Sequence, residues 1–281
     1  MADFSQQLNT LREGIDELDS QLVELLAKRS ALTTQVGQIK AEAGMPVYVP
    51  EREKALITSR RAQAEAQGVS PDLTEDLLRR IMRESYHTQN NRYRCVNPSL
   101  GQVVVIGGAG ALGKVFVGLF ERSGYQVTVV EQEDWQSGDA QQTLSQAALV
   151  IVAVPINVTE HVIAQLTMLP EDCILADITS IKDKPLKAML EAHQGPVVGL
   201  HPMFGPDAPG MIKQVVVVCD GRQQQRYRWL IDQMRIWGAT IHQSTSQEHD
   251  KAMAYIQVMR HFNTFVYGAH LKGENPDLES L

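Results

Sequence analysis

From Leu8 to Ile39 the apolar residues Leu8, Leu11, Ile15, Leu18, Leu22, Leu25, Leu32, Val36 and Ile39 recur at three- and four-residue steps. This is the stripe of a single amphipathic helix near forty residues long. So long a helix needs a partner lying antiparallel along it to bury the stripe, so the sequence predicts a helical module that dimerises. The step between Leu25 and Leu32 is filled by Arg29. An arginine on an apolar seam bears a large desolvation cost unless an anion or a hydrogen-bonding partner meets it.

Lys40 follows Arg29 by eleven residues. At ~100° per residue it returns to nearly the same face, about 16 Å further along the axis. Two long cationic side chains can therefore converge on one small anion. Arg12 lies about 25 Å before Arg29 and roughly a quarter-turn away, too far to reach that pocket within one subunit. If it binds the same ligand, it comes from the partner. Gly44 and Pro46 end the first helix, Pro50 opens a second that stops by Gly68, and Ser70-Pro71 caps a third. Arg52 and Glu53 fall in the first turn of the second helix, and Ser85 and Gln89 share a face of the third. A dimerisation appendage with solvated charges fits the pattern equally well at this point.

The chain has 281 residues, enough for two domains; 43% are hydrophobic and 21% charged, the balance of a folded globular protein. A formal net charge of −7 disfavours a nucleic-acid partner, so an anionic ligand must be held by local cations. Three scattered cysteines and no His/Cys cluster at zinc-ligand spacing predict neither a metal site nor a disulfide framework. The first residues carry acids and no apolar targeting core, and no apolar run approaches a membrane span, so a cytoplasmic protein is expected.

The pattern changes after the linker RYRCVNPSL (92–100). Strand-like runs QVVVI, YQVTVVE, ALVIVAVP, CILADIT, PVVGL and KQVVVVCD alternate with helical stretches, predicting a mainly parallel, doubly wound sheet, with a last helix from near Ser246 to about Lys272. Gly108-x-Gly110-x-x-Gly113 directly follows the first strand and opens a helix. Its glycines permit a tight turn and close approach of backbone to a pyrophosphate at a helix N-terminus. Glu131 closes the next strand, where a carboxylate can bind ribose hydroxyls and repel a 2′-phosphate, so NAD is expected over NADP. Pro155, Ser180 and Lys182 (ADITSIKDKP), and His201 and Asp207 (GLHPMFGPD) should lie on the rim where strand ends meet the nicotinamide. His201 can take a proton from a hydroxyl while hydride leaves the same carbon. His249 and His261 are weaker candidates: the first can merely decorate a helix start, the second can be a satisfied core residue.

The segments LREGIDELDSQLVELLAKRSALTTQVGQIK, PVYVPEREKAL and RESYHTQN closely resemble the all-helical chorismate mutase family. The resemblance implies that Arg12 and Arg29 bind the two carboxylates of chorismate, that Lys40 and Gln89 meet the ether oxygen, and that Glu53 meets the ring hydroxyl. Arg52 and Ser85 would give supporting contacts. An acidic residue often present in the family at one position is replaced here by Val49. From about Gln102 onward, with HPMFGPD the most distinctive segment, the chain resembles prephenate dehydrogenase. That implies NAD-dependent oxidative decarboxylation of prephenate to 4-hydroxyphenylpyruvate, with His201 accepting the substrate's proton, Ser180 positioning hydroxyl and nicotinamide, and Lys182 and His249 assisting substrate binding.

Together the modules resemble the bifunctional chorismate mutase/prephenate dehydrogenases of tyrosine biosynthesis. The expected organisation is an all-α, three-helix, homodimeric mutase module at 1–91, the linker at 92–100, a Rossmann-type α/β NAD-binding domain at 101–245, and the start of a helical dimerisation and substrate region at 246–281. Tyrosine is the feedback inhibitor that the resemblance implies. In that family the helical region continues and supplies an arginine for the substrate carboxylate, whereas this sequence stops at Glu279-Ser280-Leu281. A weak dehydrogenase is therefore expected beside a competent mutase. The alternatives are a mutase alone and a non-catalytic nucleotide- or tyrosine-sensing module; Arg29 in the stripe argues against the last, because dimerisation gives no reason for its cost.

Overall fold

The structure, a computed structural model, describes residues 2–89, 92–205, 207–208 and 210–274. The chain divides into two compact units, Met1–Arg94 with Ile236–Gly238, and Cys95–Arg235 with Ala239–Leu281. The first contains helices α1 (Ala2–Ala43), α2 (Pro50–Ala66) and α3 (Pro71–Gln89). Helix α1 stops at Gly44, whose φ of 65° takes the left-handed conformation that glycine tolerates best; the Met45 N–H then reaches back to the Lys40 carbonyl at 2.8 Å. Pro50 opens α2, and the Ser70 hydroxyl accepts the Leu73 N–H at the start of α3.

Ile57 and Ala64 of α2 and Met82 of α3 are buried in the short core. Arg61 bridges Asp72 and Glu75 at 2.7 and 2.8 Å, pairs that solvent screens. The stripe of α1 is not covered within one chain. Its nine apolar residues from Leu8 to Ile39 remain 39–67% exposed. At roughly 1.5–3 kcal/mol for fully burying each such side chain, that face holds a large unspent driving force for association.

The second unit is built on a seven-stranded sheet in the order β2-β1-β3-β4-β5-β6-β7. The strands are β1 (Gln102–Ile106), β2 (Val127–Val130), β3 (Ala147–Val152), β4 (Ile174–Asp177), β5 (Val197–Pro202), β6 (Val215–Arg222) and β7 (Thr240–Gln243). Strands β1 to β5 pair in parallel, as β-branched runs buried on both faces should. Strand β6 runs antiparallel to β5, and β7 pairs in parallel with β6. Val103, Val104, Val105, Leu149, Val150, Ile151 and Val152 are completely buried at the sheet's centre.

Helices α4 (Ala111–Arg122), α5 (Gln132–Ser137), α6 (Asp139–Leu144), α7 (Ile156–Ala164), α8 (Asp183–Ala192) and α9 (Gln224–Ile236) connect or follow the strands. Helix α10 (Ser246–Glu274) leaves Tyr255, Val258, Met259, Phe262, Phe265, Val266 and Tyr267 exposed. After β1 the chain turns to β2 on one side, then returns to β3 on the other. The crevice beyond the C-terminal ends of β1 and β3 is thus the topological switch point, where open α/β sheets bind their ligands.

Candidate active sites

In the helical unit, Arg29 is half-buried on α1 and its Nη1 donates to Ser85 Oγ at 2.6 Å. The Ser85 hydroxyl in turn donates to the Ile81 carbonyl at 2.9 Å, which fixes it as an acceptor for the guanidinium. The polar partner that the apolar stripe demanded for Arg29 is therefore supplied by α3. Lys40 Nζ donates to the Val47 carbonyl at 2.7 Å, and burial lowers its pKa. The backbone at Val47 faces the ammonium, while Val49 is the residue capping α2.

Glu53 is 8% exposed; it accepts the Tyr86 hydroxyl at 2.7 Å and lies 3.4 Å from Arg79. Burial first, and then Glu53, raise the Tyr86 pKa, so this phenol is a donor at neutral pH. Arg52 is exposed on the first turn of α2, and Arg12 is exposed on α1. The Gln89 side chain lies outside the described residues. Tyr86, which periodicity gave no reason to single out, holds the carboxylate of Glu53 across the gap between α2 and α3.

In the second unit the glycine-rich turn follows β1. Gly107 has φ of 79°. A Cβ on Gly108 would lie 2.8 Å from Val129 Cγ2, and one on Gly113 only 2.3 Å from the Gly107 carbonyl oxygen. The turn closes with Gly110 N–H donating to Gly107 at 3.1 Å, and Gly110 precedes the first turn of α4. Glu131 reaches across from the end of β2, where Oε1 accepts the Ala109 N–H at 2.7 Å and the residue caps α5. These residues fit a dinucleotide: a side-chain-free turn at a helix N-terminus, with a carboxylate beside it at the next strand end. Among the described residues no group of three or more His, Cys, Asp or Glu is placed to hold a metal ion.

A cleft of about 340 Å³ opens beside this turn, lined by Leu112, Val154, Ile178, Ser180, His201 and Phe204 among others. It gathers the ends of β3, β4 and β5 next to the start of α4. Pro155, the exposed cap of α7, does not itself line it but stands between the lining residues Val154 and Ile156; Asp207 is exposed too and does not line it. The His201 ring is 4% exposed, and its Nδ1 lies 2.8 Å from His249 Nε2. Burial first, and then the nearby His249 and Lys182, lower the His201 pKa to about 4, so the imidazole is neutral at physiological pH.

Two of the candidate residues stand back from the cleft. Lys182 does not reach the cleft: its side chain is fully buried, 2.5 Å from Asp177 Oδ2 and donating to the Leu200 carbonyl at 2.7 Å. Burial lowers its pKa while Asp177 opposes that shift. The peptide turns after β4 so that Ser180 lines the cleft and Lys182 folds beneath it. His249 is likewise only 2% exposed and stands behind His201, so it can assist the substrate only through that ring. His261's side chain lies outside the described residues. Asp250 adjoins His249 in the sequence EHDKAMA, and that neighbouring histidine is the signal in the sequence that points to it. Its carboxylate is 2.8 Å from His249 Nδ1.

Fold and sites together define a two-module enzyme, in which a helical unit with an arginine and a lysine displayed on one long helix precedes a dinucleotide-dependent dehydrogenase. Residues 11–90 match the family of chorismate mutase type II, and residues 123–237 match the nucleotide-binding domain of prephenate dehydrogenase. The chain is 52% identical over 276 residues to the T-protein of Enterobacter agglomerans, covering 98% of this chain and 74% of that protein. It is 48% identical over 280 residues to the T-protein of Haemophilus influenzae, covering 99% and 74%. The fold of the dehydrogenase part resembles that of prephenate dehydrogenase from A. aeolicus, solved with hydroxyphenyl propionate and NAD+, at a TM-score of 0.53 and 16% identity over 65% of this chain and 74% of that one. The chain belongs to the T-protein family, the bifunctional chorismate mutase/prephenate dehydrogenases. It carries both enzyme modules, its cofactor is NAD, and a mutase acting alone is not the favoured reading.

Proposed function

We propose that residues 1–91 rearrange chorismate to prephenate, and that residues 101–281, joined to them by the linker at 92–100, oxidise prephenate to 4-hydroxyphenylpyruvate. Within the second part, 101–245 form the NAD-binding domain and 246–281 belong to a dimerisation and substrate region. The first reaction is a Claisen rearrangement and needs no covalent partner. The flexible dianion must be held with its enolpyruvyl tail over the ring, and charge growing on the ether oxygen must be met. Arg29, oriented by Ser85, holds one carboxylate; Lys40 with Gln89 meets the ether oxygen; Glu53 takes the ring hydroxyl; Arg52 lends a supporting charge. Arg12 enters from an antiparallel second copy whose α1 covers the exposed stripe, so dimerisation completes the site.

NAD, when bound, would supply the hydride acceptor of the second reaction. The turn at Gly108, Gly110 and Gly113 would hold its pyrophosphate, Glu131 its ribose hydroxyls, and Pro155 would border its nicotinamide. Ser180 positions the substrate hydroxyl in the cleft. His201 takes that hydroxyl's proton as the hydride leaves the same carbon, and returns it to the phenolate oxygen once loss of carbon dioxide has made the ring aromatic. The observation that carries this reading is the His201 ring in a cleft that adjoins the glycine turn. Feedback by tyrosine, which rests on the family resemblance, and a cytoplasmic location, which rests on the sequence pattern, complete the reading; among the described residues no helix is long and apolar enough to cross a membrane.

The test is a pair of assays on one preparation, following chorismate loss and, with prephenate and NAD, NADH appearance. Both signals are expected, and Lys40→Ala should slow the mutase by at least ~10-fold, since a charge-assisted contact contributes ~1.5 kcal/mol or more. Absence of NADH at saturating prephenate would sink the dehydrogenase half, and normal mutase kinetics in Lys40→Ala would sink the assignment of that lysine.

A further inference from the structure

His201 and, 48 residues later, the adjacent pair His249 and Asp250 form a line running away from the dehydrogenase cleft. His201 Nδ1 meets His249 Nε2 at 2.8 Å, and His249 Nδ1 meets Asp250 Oδ1 at 2.8 Å. The Asp250 carboxylate is held in place from its other side. Oδ1 also accepts the Lys182 N–H at 2.8 Å, and Oδ2 accepts the Asp183 N–H at 2.9 Å, the two amides that open α8. Burial alone would raise the Asp250 pKa, but the backbone N–H of Asp183, the His249 ring and the Lys182 N–H overcome it and hold the carboxyl below its ordinary value. The α8 dipole acts in the same direction. Asp250 is therefore ionised and can only accept hydrogen bonds.

That fact orders the two rings in their neutral forms. Because Asp250 only accepts, a neutral His249 carries its one proton on Nδ1 and leaves Nε2 bare; that bare nitrogen then accepts from His201 Nδ1, which carries the proton of the second ring. The nitrogen left for the cleft, His201 Nε2, then presents a lone pair. A proton on the wrong nitrogen would turn the base into a donor. Resting on the dehydrogenase reading above, we propose that Asp250, through His249, is the positioning residue that sets the tautomer of His201 and makes it a base toward the substrate hydroxyl.

The same line disposes of the proton. When His201 Nε2 receives the substrate proton, the Nδ1 proton can shift to His249 Nε2, which places the positive charge beside the Asp250 carboxylate and leaves His201 neutral. Return of the proton reverses both transfers, so none is gained or lost over the cycle. Lys182 and Asp177 lie beside this line as a buried pair, and Asp183 and Cys219 are further titratable groups near it among the described residues. The buried ammonium of Lys182 disfavours charge on His201 itself. It therefore favours moving that charge outward to His249.

The experiment uses the full chain labelled with ¹⁵N-histidine at neutral pH, with His201→Asn and His249→Asn spectra to assign the two rings, and reads their protonation by two-bond ¹H–¹⁵N correlations. The wild type should show protonated Nδ1 and bare Nε2 on both rings. In Asp250→Asn the side-chain amide can donate to His249 Nδ1, so both rings should switch to the opposite tautomer, and prephenate-dependent kcat should fall by roughly 100-fold to 10,000-fold, the scale seen when a buried aspartate that orients a catalytic histidine is neutralised. NAD affinity, which the glycine turn supplies, serves as the folding control. Asp250→Glu, which keeps the carboxylate, should retain the wild-type tautomers and restore most of the rate. A wild-type spectrum with the proton on His201 Nε2 overturns the proposal whether or not any variant folds, and so does an Asp250→Asn protein with wild-type tautomers. A wild-type chain that gives no NADH with prephenate would sink the dehydrogenase reading instead, and the spectra would still decide the relay.

Discussion

Replacing Lys182 with methionine separates two roles for that residue. The ammonium and its partner Asp177 are both 0% exposed, so the pair is shielded from the solvent screening that makes surface ion pairs weak. Methionine keeps most of the volume but removes the charge. Asp177 Oδ2 would retain the Thr179 hydroxyl and the Thr179 N–H at 3.0 Å, while Oδ1 already has no hydrogen-bond partner. The Leu200 carbonyl would lose its donor as well. Breaking a buried pair from one side costs about 3–5 kcal/mol, a factor of roughly 100 to several thousand in the folded-to-unfolded ratio. Urea unfolding of the full chain measures this loss, and the transition belonging to the dehydrogenase unit is the one that NAD shifts. Adding Asp177→Asn, which neutralises the stranded partner yet keeps an acceptor for Thr179, should recover ~2 kcal/mol or more. A Lys182→Met protein within ~1 kcal/mol of wild type, but with a sharply raised KM for prephenate, would refute the buried-pair account and put the lysine back in contact with substrate.

Mixing Arg12→Ala and Arg29→Ala chains under exchange conditions should restore some mutase activity, since one pocket of the mixed dimer keeps both arginines; no recovery, with exchange shown by mass, would mean Arg12 does not act across subunits. Glu131→Ala should erode the preference for NAD over NADP, and calorimetry showing an unchanged ratio would rule out that carboxylate as the discriminator. Gly113→Ala should abolish NAD binding and cost about 1–3 kcal/mol, because the new Cβ would sit 2.3 Å from the Gly107 oxygen; NAD affinity within twofold of wild type would show that the turn can give way.

What the sequence revealed and what it withheld divide along a physical line. The α1 stripe and the glycine turn after β1 are local: helical periodicity and a strand–turn–helix register specify them within a few dozen residues, and both stand where the pattern put them. The reversed direction of β6 was also within reach. Residues 203–214, which separate it from β5, hold no helix among those described, whereas a parallel return is usually made through one. Side-chain direction in irregular backbone has no such code. Ser180 and Lys182 sit two residues apart at the end of β4, yet one lines the cleft and the other is sealed beneath it, because Asp177 and the Leu200 carbonyl offer the ammonium a partner that only the folded sheet brings together.

Asp250 shows the same limit more sharply. In the sequence it is one acid among several at the start of a helix, where solvated carboxylates are common. Its role follows from two contacts, the amides of α8 nearly seventy residues earlier and the ring of His249 beside it, which in turn touches His201 48 residues away. Arg29 was legible for the opposite reason: a charge placed on an apolar stripe announces an unmet cost wherever its partner is, although the identity of that partner, Ser85, comes only from the packing of α3 on α1. A misplaced charge can be read locally, whereas a well-placed one looks ordinary until the elements that satisfy it are in position.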